Sequence, residues 1–416
     1  MLAAALSSYS AMAGGYQVAL QGQRQIGMGH CGTSLALDAS SIFFNPGGLS
    51  FTKVNNVMMG ASFIRSRVAY LAPSPSVYTA NTESPIGTPF MLYASFGKKE
   101  SKLKYGLGVY TPYGSSVKWA DDWKGYSLLQ SLSLQAIFIQ PTVSYKINDM
   151  IGIGVGFVYA LGSVDLNRGI GAINTANGYA SAQLKGSASG MGFNAGVHIQ
   201  PTEKLSIGAS YRSLVNMKVS GGDATFRNIP GFLQANGTFP QGGTTTFDAT
   251  LPLPAVASIG LGYKLNDKFL LAFDVNYSFW SAYKQLEFEY KDKVNGSNKS
   301  TSKRNYVDAP TVRIGAEYMA TSNLALRGGL YYDKTPVELG YMTPETPDAD
   351  RIGITAGIGY KIGERVNIDA SFLFIEGRER DQTEEIVAEK QTTTDVLPGT
   401  YKLRVLIPGI SVSFNF

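Results

Sequence analysis

Hydrophobic residues recur at every second position over long stretches of this chain. Ile151, Ile153, Val155, Phe157, Tyr159 and Leu161 alternate with Gly152, Gly154, Gly156, Val158, Ala160 and Gly162. Leu205, Ile207, Ala209 and Tyr211 alternate with Ser206, Gly208, Ser210 and Arg212. Phe269, Leu271, Phe273, Val275 and Tyr277 alternate with residues that include Asp274, Asn276 and Ser278. Ile352, Ile354, Ala356, Ile358 and Tyr360 alternate with Gly353, Thr355, Gly357 and Gly359. A period of two marks a sheet with one apolar face and one small or polar face. The pattern predicts fourteen strands, near 54–68, 87–98, 103–110, 133–147, 151–166, 184–200, 205–219, 246–263, 268–290, 305–318, 323–332, 351–361, 366–379 and 402–416.

The connections fall into two classes. Short turns follow the even strands ("KKES", "IND", "PTEK", "LNDK", "ATSN", "IGER"), and long loops follow the odd ones. That segregation predicts an all-β fold, a transmembrane antiparallel β-barrel with short periplasmic turns and longer outside loops. Closure pairs every backbone donor and acceptor inside a bilayer without leaving an edge. The last strand ends "GISVSFNF", with Ile410, Val412, Phe414 and Phe416 on one face. Tyr110, Tyr145, Tyr211, Tyr263, Tyr318 and Tyr360 lie near strand ends, where interfacial aromatic girdles belong.

Composition agrees. Only 16% of the residues are charged, while Gly (47), Tyr (24) and Phe (21) are abundant. After the N-terminus no run of about eighteen apolar residues exists, which excludes ordinary transmembrane helices. A net charge of +5 without a basic cluster gives no sign of nucleic acid as a partner. The start, "MLAAALSSYSAMAGGYQ", predicts a secretory leader over 1–13 with Ala11-Met12-Ala13 as an A-x-A cleavage site, although no basic residue precedes it. The single Cys31 cannot form an internal disulfide. In "SSIFFNPGGLS" (40–50) a short apolar run stops at Asn45-Pro46-Gly47. Pro46 removes a backbone donor and keeps Asn45 extended, so the chain must break there.

Several stretches carry a family resemblance: "GMGHCGTSLALDASSIFFNPGGL", "GLGVYTPYGSSVKWADDWKGY", "FIQPTVSYKINDMIGIGVGFVYA", "FDVNYSFWSAY", "TVRIGAEYMATSNLALRGGLYYDKTPV" and "PETPDADRIGITAGIGY". In this order they resemble the FadL/TodX family of outer-membrane transporters for long-chain fatty acids and other hydrophobic compounds. The resemblance implies a fourteen-stranded barrel (51–416) closed by an N-terminal hatch (14–50) in the lumen. Asn45, Pro46 and Gly47 match the family's Asn-Pro-Ala motif, with Gly47 in place of Ala. It further implies an outer capture groove, to which Phe226, Ile229, Phe232, Leu233 and Phe239 of "GGDATFRNIPGFLQANGTFPQGG" correspond. A carboxylate-binding position falls near Arg168, while a second basic position is Val307 here. A lateral gate in strand 3 would involve Gly106, Gly108 and Pro112.

The expectation is a passive importer in the bacterial outer membrane. It would be a monomer, need no cofactor or metal, and meet a fatty acid or other hydrophobic small molecule and the surrounding lipid. Each methylene taken out of water yields about 0.8 kcal/mol, so release into bilayer hydrocarbon costs far less than release into periplasmic water. Import of neutral aromatic hydrocarbons is the alternative, followed by a water-filled porin or a barrel-borne enzyme. The chain has only His30 and His198, neither beside a nucleophile motif, so no catalytic residue is assigned. Arg212, Arg313, Arg327, Asp274, Glu317 and Asp369 fall on the polar side of their strands, where ion pairs would brace a plug. "DADR" (348–351) suggests a turn of no assigned role.

Overall fold

The structure, a computed structural model, describes residues 15–98, 101–175, 178–392 and 394–416. The expected leader and its Ala11-Met12-Ala13 site lie outside the described residues. Fourteen antiparallel strands close into a barrel. They are β1 (56–71), β2 (79–96), β3 (Leu103–Lys118), β4 (Ser131–Lys146), β5 (Ile151–Thr175), β6 (Gly178–Ile199) and β7 (205–227), then β8 (244–264), β9 (269–294), β10 (297–319), β11 (Leu324–Asp333), β12 (Arg351–Ile362), β13 (Val366–Gly377) and β14 (Gly399–Asn415). Strand β14 pairs with β1 from Asn56↔Asn415 to Leu71↔Thr400 and so removes the edge.

The alternation in the sequence becomes the two faces of the wall. On β12, Ile352, Ile354, Ile358 and Tyr360 point outward and are about half exposed, while Thr355 on the inward side is buried. On β5, Ile153, Val155, Phe157 and Leu161 point out, and Val158 and Ala160 point in. Large apolar side chains left exposed on this scale fit contact with lipid rather than water. Tyr145, Tyr263 and Tyr360 are exposed near the short turns, and Tyr211 is exposed toward the opposite end of the stretch Leu205–Arg212, as girdle residues would be. Tyr110 corrects the expectation. It faces inward, is fully buried and hydrogen-bonds Gln140.

Two of the expected long loops are extensions of the strands. β5 runs on to Thr175 and β6 resumes at Gly178, pairing up to Gly169↔Ser181 and again at Asn174↔Tyr179 and Thr175↔Gly178 across a break in register. β9 and β10 meet at Asn295 and Gly296, both with positive φ, the two-residue turn that matches strand twist. The other outer connections are true loops. One carries the short helix Gly231–Ala235, and another the helix Glu384–Lys390.

Residues 15–51 pack inside the barrel. They form two short helices, α1 (Gln23–Gly27) and α2 (Ser41–Phe44), followed by the 3₁₀ turn Pro46–Phe51. Gln21, Gln23, Ile26, Met28, Cys31, Ile42 and Leu49 are buried. The segment lies so close to the wall that inward side chains must be absent beneath it. A Cβ on Gly208 would run into the Thr33 carbonyl, one on Gly315 into the Met28 carbonyl, and one on Gly329 into Gly29.

Candidate functional site

Asn45 is the pivot where this segment turns toward β1. Its side chain donates to the carbonyls of Thr33 (2.8 Å) and Val197 (2.9 Å) and accepts from Gly47 N–H (3.0 Å). One amide thus ties the segment to itself and to β6, and caps the 3₁₀ turn that Pro46 begins. Gly47 is pressed against the backbone of β5 and β6. An added Cβ would sit 2.7 Å from Gly196 O and 2.8 Å from Gly152 O. That crowding accounts for glycine at the position where the resemblance led us to expect alanine.

Charged wall residues hold the segment from other sides. Arg24 forms a forked pair with Glu317 (2.8 and 2.5 Å), Arg327 joins the same carboxylate (2.7 Å), and Arg327 also binds Asp369 (2.7 Å). Asp274 accepts from the N–H groups of Gly32 and Thr33, both at 2.9 Å. Arg212 stacks over the Phe43 ring and donates to Phe43 O, and Arg313 donates to His30 O. Burial, helped by the nearby Arg313 charge, pushes His30 down to about 3, so it stays neutral near pH 7. The "DADR" turn acquires a role that sequence reasoning missed. Buried Asp348 accepts from Gly15 N–H (3.2 Å) and pairs with Arg351 (3.2 Å), which also pairs with Asp333 (2.8 Å).

Above the segment, in the outer half of the lumen, is an apolar cavity of about 890 Å³ including its mouth. Leu132 and Leu134 of β4, Leu166 of β5, Met217 and Val219 of β7, Leu251 and Leu253 of β8, and Phe288 of β9 line it. Its apolar lining suits a hydrophobic ligand. Tyr16 and Tyr113 close one end, and Tyr283, Arg304, Glu345 and Thr346 supply a cluster of polar groups, with Ser115, Gln135, Ser163 and Thr250 also in the lining. Below Tyr16 the lumen becomes polar, bounded by Gln17, Asn194, Arg212, Ser258 and Arg313.

The wall departs from regular pairing beside this boundary. β2 and β3 pair from Phe96↔Tyr105 to Met91↔Tyr110 and meet again where Glu83 N–H bonds Lys118 O. Between those points β3 has a bulge, between Tyr110 and Tyr113, and every residue from 110 to 117 is buried. Its edge turns to the N-terminal segment instead: Val18 N–H bonds Pro112 O (2.7 Å) and Gly114 N–H bonds Tyr16 O (3.0 Å). Pro112 therefore lies in the irregular stretch. Gly106 and Gly108 lie below it, regularly paired with Ser95 and Tyr93, and make room for Ile42, Leu49 and the Tyr93 ring.

The other expected site residues are dispersed. Phe226, Ile229 and Phe239 are buried, with Phe226 packed on Phe239 and Tyr290. Leu233 is half-buried against the same cluster, and Phe232 projects outward. Arg168 lies on β5 two residues beyond Leu166, outside the cavity lining, in electrostatic range of Asp395. Arg304 and Glu345, which do line the cavity, were not anticipated. The signal was faint: Arg304 is the last cation of "SKR" just before a predicted strand, and its partner is 41 residues away in a loop.

A closed, lipid-facing barrel filled by its own N-terminus, with an apolar chamber facing outward, defines an outer-membrane channel for hydrophobic molecules. The comparisons agree: the family described as outer membrane protein transport protein (OMPP1/FadL/TodX) matches residues 4–416, and the chain belongs to it. The 47 kDa outer membrane protein of Pasteurella multocida is 26% identical, covering 100% of this chain and 98% of its own. The long-chain fatty acid transport protein of Escherichia coli K12 is 22% identical over 91% of each chain. Among solved structures, a Pseudomonas aeruginosa FadL homologue aligns with a TM-score of 0.82 at 18% identity, covering 97% of this chain and 100% of its own. The Ralstonia pickettii toluene transporter TbuX aligns at 0.68 and 17%, covering 95% and 98%.

Proposed function

We propose that this protein imports long-chain fatty acids or related hydrophobic compounds by passive diffusion, using residues 14–50 as a hatch. Molecules meet the outer loops at exposed Phe232, with Arg168 near the rim as a polar contact. They settle in the apolar cavity and leave sideways through the irregular stretch between β2 and β3, near Pro112, into the bilayer. Each barrel holds its own cavity and hatch, so the monomer is the working unit.

One observation carries this reading. Tyr16 is at once part of the end wall of the cavity and the first residue of the short stretch Tyr16–Val18 that covers the inward edge of β3. A shift of that short strand would join chamber and exit in a single movement. The bilayer favours such an exit because a long chain never crosses water, which would cost about 0.8 kcal/mol per methylene.

The test is a cysteine pair at positions 17 and 113, bridged neighbours in the structure. Uptake of radiolabelled oleate or toluene by cells should fall severalfold when the pair is oxidised and return on reduction. Unchanged uptake in the cross-linked protein would rule out movement of this strand as the gate.

A further inference from the structure

The polar end of the cavity holds a feature that the transport reading does not use. Arg304, between the two paired stretches of β10, is 3% exposed and lines the chamber. Its Nη2 donates to Glu345 Oε2 at 2.8 Å, and its Nε lies 3.4 Å from the Tyr283 hydroxyl. Its Nη1 is buried and has no hydrogen-bond partner. A buried guanidinium N–H left open is costly unless something accepts from it. Beside it, Thr343 also donates to Glu345 (2.9 Å) and Thr346 bonds Tyr306 (2.7 Å), while farther along the lining Ser115 Oγ and Gln135 Nε2 are likewise buried without a partner.

The charge balance is the second half of the argument. Glu345 neutralises Arg304 directly. Asp395 stands within electrostatic range of both Arg304 and Glu345, and adds a second negative charge to their surroundings. A carboxylate brought to Arg304 would share one guanidinium with Glu345. Two carboxylates in one site cannot both stay ionised without a large penalty, and like charges set side by side reject the wrong partner.

We propose that the cavity selects neutral amphiphiles over carboxylates. An apolar body fills the chamber. An oxygen acceptor of its head, from an alcohol, ketone or ester, takes the open Nη1–H of Arg304, while Glu345 keeps anionic heads out. This rests on the cavity being the seat of the transported molecule, and it narrows the proposed cargo from fatty acids to the neutral members of the related hydrophobic compounds.

Octanoate, 2-octanone and octane share a chain length and differ at the head. Their binding to the purified, full-length protein in nonionic detergent can be compared by titration calorimetry against empty micelles. The wild type should bind 2-octanone at least about tenfold tighter than octanoate, the factor set by one pKa unit of carboxylate repulsion. Glu345→Gln removes the repelling charge but keeps an acceptor for Arg304, and should reverse the preference. Arg304→Gln should erase the advantage of the ketone over octane. Tighter binding of octanoate by the wild type, with a ratio that Glu345→Gln leaves unmoved, would overturn the proposal. Binding of all three without discrimination would also overturn it while leaving the cavity as the seat. Binding of none by any form would remove the seat itself and the proposal with it.

Discussion

Replacing Glu317 with Ala should loosen the N-terminal segment while the barrel stays closed. The carboxylate is nearly buried and receives three charge-assisted hydrogen bonds, two from Arg24 and one from Arg327. Taking one partner out of a buried ion pair costs about 3–5 kcal/mol, because the remaining charge is left desolvated. Two features favour the lower figure here. The Arg24 side chain is 27% exposed, so water screens part of its loss. Arg327 also keeps Asp369 at 2.7 Å. The wall ladder between β10 and β11, with Arg313↔Tyr331 and Glu317↔Arg327, is backbone bonding and remains in place. The cost should therefore fall on local opening of 20–30 rather than on global unfolding. About 3 kcal/mol corresponds to roughly two powers of ten in amide exchange, at about 1.4 kcal/mol per factor of ten. Hydrogen-exchange mass spectrometry on peptides covering 20–30, with β11–β13 as an internal control, reads this directly. Single-channel recordings should show brief openings that the wild type lacks. Exchange in 20–30 within about threefold of wild type would refute the idea that this carboxylate anchors the segment. So would a uniform rise that includes the control strands.

Further expectations address separate contacts. Asn45→Ala removes three hydrogen bonds and leaves the Thr33 and Val197 carbonyls without their side-chain donor; a loss of about 1–3 kcal/mol should show as faster exchange at 33–47. His30, held neutral with its pKa pushed down to about 3, lowers stability as pH falls from its unfolded value near 6.5 toward 3, because the unfolded chain binds the proton first. Protection of 28–33, corrected for intrinsic exchange rates, should therefore be lower at pH 4.5 than at pH 7.5, and His30→Gln should remove that contribution. Gly208→Val places a side chain where the Thr33 carbonyl lies; it should expel this part of the segment and increase bilayer conductance, and an unaltered closed state would contradict the tight fit.

How legible the molecule was in its sequence depended on whether a rule is local. The wall strands could be read because every second residue of Ile352–Tyr360 or Ile151–Leu161 must face lipid, and lipid asks the same of each strand. The extensions of β5, β6, β9 and β10 were missed because beyond the bilayer the outer face meets water instead of lipid and loses its apolar requirement, while the pairing of β5 with β6 resumes at Asn174↔Tyr179 past a break in register. Pro112 lies in the irregular part of β3, and a missing donor breaks a ladder wherever it occurs. Gly106 and Gly108 could not be separated from it, because a glycine that bends a strand and one that admits a neighbour look alike in one dimension. The same limit hid Arg304. Its meaning comes from Glu345 and an empty chamber, neither of which is near it in the chain. Asp348 stood out in "DADR", yet its partner is Gly15, 333 residues away.

The glycines under the N-terminal segment carry a consequence for inheritance and engineering. Where Gly208, Gly315 and Gly329 face it, the wall meets main-chain atoms of Thr33, Met28 and Gly29 rather than their side chains. Every residue type presents the same main chain. The fit therefore stores the path of the segment without storing its spelling. Gly29 and Gly32 are themselves fixed, since an added Cβ would lie 2.6 Å from Ile314 O and 2.5 Å from the Phe44 ring; the other positions along 28–33 can drift so long as the path holds, whereas a single methyl added to the wall is refused. Segments exchanged between relatives as distant as 26% identity should seat in this barrel, while the reciprocal exchange of wall strands should fail wherever a glycine is lost.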